Sequence, residues 1–125
     1  MVKTIITTLA VSLLLFFGVI LESNYIKTEF NELHANFSTL YEKVEEESAN
    51  KQDVLAVQQN WLKKKSRLHI FIPHNEIKEI DMWLAESATL VRDKEWQDAI
   101  SKIEVLKELT EQIPNTFRLS IENIL

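Results

Sequence analysis

The chain has 125 residues, 46% hydrophobic and 26% charged, with one glycine, two prolines and no cysteine, a length that suits one domain. The first 21 residues hold one charge, Lys3, whereas residues 22–125 hold 13 basic and 19 acidic residues, a net charge of −6. The missing cysteines exclude a disulfide framework, a thiolate zinc site, a cysteine nucleophile and an acylated cysteine, and the acidic balance argues against nucleic acid as a partner.

Ile5 to Leu21 is a 17-residue run without charge, interrupted only by Thr7, Thr8 and Ser12. As a helix it reaches about 25 Å, slightly short of a hydrocarbon core of roughly 30 Å, and Lys3 and Glu22 extend it toward the headgroups. Signal-peptide cleavage needs small residues at −3 and −1, but the run ends Val19-Ile20-Leu21-Glu22-Ser23. Residues 1–22 are therefore expected to be an uncleaved anchor, and residues 23–125 a bundle outside the cytoplasmic membrane. The amino terminus and Lys3 face Glu22, Glu29 and Glu32 across the run, so the N-terminus is expected inside, in a single-pass topology.

Residues 22–125 contain no glycine and no hairpin-turn dipeptide, and apolar residues recur at helical spacing. Ile26, Phe30, Leu33, Phe37, Leu40 and Val44 form a stripe that predicts one helix running from the anchor to about Ser48. A second helix is expected from about Gln52 to Phe71, with Val54, Leu55, Val57, Trp61, Leu62 and Leu68 inward, ending ahead of Pro73. Asn75 is the expected N-cap of a third helix, with the stripe Ile77, Ile80, Leu84, Ala88 and Val91. Asp93 is the expected cap of a fourth, which carries Trp96, Ala99, Ile100, Ile103, Leu106, Leu109 and Ile113 and stops at Pro114. Ser120–Leu125 adds a turn. Short connections favour antiparallel neighbours, so the fold class is all-α: an N-terminal transmembrane helix continuing into an up-down antiparallel four-helix bundle.

In that topology the turn Phe71-Ile72-Pro73-His74-Asn75 and the C-terminal tail both face the membrane. Phe71, Ile72, His74, Phe117, Ile121 and Ile124 are the candidate contacts for an integral membrane partner or lipid headgroups, although apolar residues here also serve to close the bundle. Lys63, Lys64, Lys65 and Arg67 form the one basic cluster. They are candidates for an anionic contact, set against internal pairing with Glu29, Glu32 or Asp81.

Other chemistry is poorly supported. The lone glycine, Gly18, leaves a P-loop, a GxGxxG turn and a GxSxG elbow without their glycines. His69 and His74 flank Pro73 and share no regular helix face, and His34 lies beside the main stripe, so no metal site is expected. Carboxylate pairs such as Glu42/Glu46 read as solvated helix surface. Asn36-Phe37-Ser38 matches a glycosylation sequon, a pattern of low specificity. No catalytic residue and no cofactor are assigned.

The apolar N-terminal helix, Trp61, the turn Phe71-Ile72-Pro73-His74-Asn75-Glu76-Ile77, Leu84, Ile113-Pro114 and the ending Leu119-Ser120-Ile121-Glu122-Asn123-Ile124 resemble the domain-of-unknown-function 4363 family. The resemblance spans nearly the whole chain. It implies a short, single-anchor bacterial protein, mostly from spore-forming Gram-positive species, and transfers no activity. The expected function is that of a non-enzymatic accessory or scaffold that binds a membrane protein or itself, since the first stripe also suits a coiled-coil homodimer. The alternative is a small sensory or ligand-binding bundle.

Overall fold

The computed structural model describes residues 1–124, with side chains through Phe117. Four helices follow in order: α1 (Val2–Glu45), α2 (Lys51–Leu68), α3 (His74–Arg92) and α4 (Trp96–Ile124), with no strand among the described residues. α1 packs against α2 and α4, and α3 packs against the same two, so each helix meets antiparallel neighbours around a ring. This is the expected up-down bundle.

The halves of α1 differ sharply. The most apolar 18-residue stretch has no buried residue, whereas Ile26, Phe30, Leu33, Phe37, Leu40 and Val44 are all buried. These six meet Trp61 and Leu68 of α2, Ile77, Ile80, Leu84 and Val91 of α3, and Ala99, Ile103, Leu106 and Ile113 of α4 in one core. Leu55 and Leu62, expected inside α2, are exposed. The inward positions of α2 go to Val54, Val57, Trp61, Lys64 and Leu68.

Two connections end in the same way. At the end of α1, Glu47 adopts φ 57°, the Glu47 N–H donates to the Val44 carbonyl, and the Ser48 N–H donates to the Lys43 carbonyl. At the end of α3, Lys94 also adopts φ 57°, with its N–H on the Val91 carbonyl and the Glu95 N–H on the Leu90 carbonyl. Both are Schellman turns, which usually place glycine at the left-handed position. Asp93, expected to cap α4, instead closes α3, and the Glu95 carbonyl accepts the Ala99 N–H at the start of α4. α2 begins with a capping box, the Asn50 side chain accepting from the Asp53 N–H and Asp53 Oδ2 accepting from the Asn50 N–H.

α2 ends at Leu68, three residues earlier than expected, because the Phe71 and Ile72 N–H groups both fold back to the Leu68 carbonyl ahead of Pro73. Asn75 lies inside α3 and does not cap it. The Pro73 carbonyl accepts the Glu76 and Ile77 N–H groups, so the helix starts at His74. The clearest departure is Pro114, which lies within α4 and does not end it. An interior proline costs about 3 kcal/mol. Opposing that, Ile113 is 4% exposed and Phe117 packs against the core, and burial of each such side chain contributes about 1.5–3 kcal/mol. Packing against α1 outweighs the break.

Candidate functional site

The end of the bundle nearest the apolar run is built by α1, the α2–α3 turn and the last turns of α4. α1 and α2 are held in register by polar pairs set seven residues apart on each helix. Lys43 pairs with Asp53 at 2.7 Å, the Asn36 side chain donates to Asn60 at 2.9 Å, and Arg67 pairs with Glu29 at 3.2 Å. Four residues beyond Glu29 and Arg67, toward the apolar run, Phe71 meets Tyr25, ring edge to ring face, with centroids 6.3 Å apart. Asn36, the sequon asparagine, is thus partly buried in mid-helix and committed to Asn60.

Of the residues in the turn, Ile72 is buried and Phe71 is half-buried against Tyr25, so both close the bundle. His74 is exposed at the first position of α3, and Phe117 is half-buried on α4. Ile121 and Ile124 lie outside the residues whose side chains are described. The residue that sequence reasoning missed is Ile70, which is 73% exposed beside the Tyr25–Phe71 pair. The signal was available: Ile70 lies off the α2 stripe and two residues past Leu68, where the helix ends.

The basic cluster divides. Lys64 is buried, donating to Glu29 at 2.9 Å and to Glu32 at 2.6 Å. Burial pulls its pKa down, but the hydrogen bonds to Glu32 and Glu29 outweigh that and hold it above its ordinary value. The Lys64 hydrogen bond holds the Glu32 carboxyl below its ordinary value. Lys65 pairs with Asp81 at 2.6 Å, and the same carboxylate accepts the Trp61 indole N–H at 2.7 Å. Lys63 is exposed and makes no salt bridge among the described residues. The cluster is largely bound inward, to the carboxylates of α1 and α3.

Between α1 and α4 lies an open polar groove of about 370 Å³, lined by residues that include Lys27, Asn31, His34, Glu111 and Asn115. His34 Nε2 is shielded from solvent and lies 3.1 Å from Glu111 Oε1 without hydrogen-bond geometry. Pro114 borders the groove and has no N–H for the Thr110 carbonyl one turn back, while the Thr110 hydroxyl is committed to the Lys107 carbonyl at 2.7 Å. No group of three or more His, Asp or Glu side chains able to hold a metal occurs among the described residues.

The family model described as Domain of unknown function (DUF4363) matches residues 20–124. The chain belongs to the DUF4363 family. The match begins at Ile20, where α1 passes from its exposed apolar half toward the buried stripe, so the DUF4363 unit coincides with the bundle. No curated protein and no solved structure matches the chain.

Proposed function

We propose that this DUF4363 protein is a single-pass membrane protein whose bundle acts as a non-enzymatic accessory or scaffold for an integral membrane partner or for a second copy of itself. The observation that carries the anchor is the contrast within α1. Its first half is apolar on every side and wholly exposed, and its second half buries one stripe. Water does not tolerate such a face, whereas lipid does. The positive N-terminal flank favours the N-terminus inside and the bundle outside the cytoplasmic membrane. The scaffold role is supported by where the polar chemistry goes. The buried ammonium and its carboxylates saturate one another in holding α1 to α2, so this polar cluster serves the fold.

The test is crosslinking in native membranes followed by affinity purification and mass spectrometry, with an anchor-swapped control. Near-stoichiometric recovery of one membrane protein, lost from the control, supports the accessory role. Recovery of crosslinked dimer supports self-association, and recovery of uncrosslinked monomer alone sinks both forms.

A second reading, a ligand-binding bundle, is favoured by the α1–α4 groove, where Lys27, His34 and Glu111 offer both charges around a concave surface. A small zwitterion that raises the melting temperature of the wild type and not of Glu111→Gln would support it.

A further inference from the structure

Resting on the anchored reading above, we infer that the α2–α3 turn is a second membrane contact, in which Ile70 inserts among the lipid headgroups of the bilayer that holds α1. Ile70 is the most exposed large hydrophobic side chain among the described residues beyond the apolar run, at 73%. Its neighbours Phe71 and Ile72 turn inward, so the core does not account for an isoleucine here.

The height of the turn is set by the Tyr25–Phe71 pair. Tyr25 stands four residues past Leu21, about 6 Å along the helix axis. Each interfacial layer of a bilayer is about 5–7 Å deep. The apolar run is also about 5 Å shorter than the hydrocarbon core, and a short span draws its flanking residues toward the lipid. Either effect brings Ile70 to the boundary, with Tyr25 at the level where tyrosines anchor helices.

Charge is distributed to suit this seating. At the turn Arg67 and Lys78 are balanced by Glu76 and Glu79, whereas at the opposite end Glu45, Glu46, Glu47 and Glu95 outnumber Lys51, Arg92 and Lys94. An anionic lipid surface therefore repels the far end more than the turn.

The chain has no cysteine, so single-cysteine variants need no background removal. Leu14→Cys, Leu62→Cys and Ile70→Cys, all at exposed positions, would be labelled with an environment-sensitive fluorophore. Each would be reconstituted in vesicles of phosphatidylethanolamine and phosphatidylglycerol, with circular dichroism to verify folding. Quenching is then compared for iodide present on both sides and for a lipid carrying a nitroxide on its headgroup. The expected result is an Ile70 label shielded from iodide and quenched severalfold more by the nitroxide lipid than the Leu62 label. Iodide quenching at Ile70 equal to that at Leu62, with Leu14 protected, overturns the inference and leaves the anchor standing. Shielding of Ile70 from both quenchers assigns the turn to a protein surface and also overturns it. Iodide quenching at Leu14 defeats the anchored reading itself.

Discussion

The Lys64 ammonium of α2 donates to the Glu29 carboxylate of α1 at 2.9 Å, a contact closed to solvent on both sides, with Lys64 3% exposed and Glu29 9%. Two charges in such a position make a stronger demand on each other than on the fold, because breaking the pair costs more than replacing it.

Lys64→Ala leaves Glu29 with only the exposed Arg67 as partner. Removing one member of a buried pair costs about 3–5 kcal/mol, and access to water through the exposed Glu32 side brings the expectation toward the lower bound. Lys64→Met with Glu29→Leu should recover most of that loss. Urea unfolding of the full chain in detergent, followed by tryptophan fluorescence, measures both. A double variant as unstable as the single one would refute the account.

The same network sets the pH response. Glu32 is held below its ordinary value of 4.5, first by the Lys64 hydrogen bond, so its contribution is present above that value and is lost as pH falls through the folded-state pKa. Asp53, held below 3.8 by Lys43 and then by the Asn50 N–H, acts in the same direction. Lys64 is raised above 10.5, so its contribution is complete below that pH and is lost as pH rises through the folded-state pKa. Melting temperature against pH should show a plateau bounded by these two limbs. Glu32→Gln should flatten the acid limb, and an unchanged acid slope would count against the assignment.

Glu47 and Lys94 occupy left-handed positions without being glycine. An L-residue there costs about 1–2 kcal/mol, so Glu47→Gly and Lys94→Gly should each stabilise the bundle by up to about 1 kcal/mol after the added chain entropy. That corresponds to a rise of about 4–8 °C in a domain of this size. Calorimetry showing a fall for both would remove the Schellman explanation.

Pro114→Ala restores an N–H toward the Thr110 carbonyl and should stabilise α4 by about 1–3 kcal/mol, whereas Ile113→Ala should cost about 2–5 kcal/mol. Hydrogen exchange at residues 111–117 separates them. Slower exchange in the proline variant and faster exchange in the isoleucine variant are expected, and destabilisation by both would mean that the proline shape itself is needed there.

The bundle was legible because periodicity is a local signal. All six residues of the α1 stripe are buried, and the expected inward pairing of the basic cluster with Glu29, Glu32 and Asp81 occurs. What escaped depends on partners distant in sequence. Lys64 takes an inward position on α2 because two carboxylates of α1 lie opposite it. Pro114 continues a helix because α1 supplies packing that no window of α4 reveals. Ile70 was hidden by the assumption that α2 ran on to Phe71, a boundary error of three residues that concealed the most outward-facing apolar side chain among the described residues of the bundle.

α1 passes from its apolar half into the bundle as a single helix from Val2 to Glu45. Beyond Leu21 it extends about 36 Å, and α2 and α4 pack along that length. Membrane helices tilt by about 20° on average, at an angle set by their packing and their interfacial anchors. On a stiff arm of this length, a change of about 10° in tilt sweeps the far tip sideways by about 6 Å. In an anchored chain the bundle is thus the long arm of a lever, turning a small change of tilt at residues 2–21 into a displacement of the acidic tip at Glu45-Glu46-Glu47.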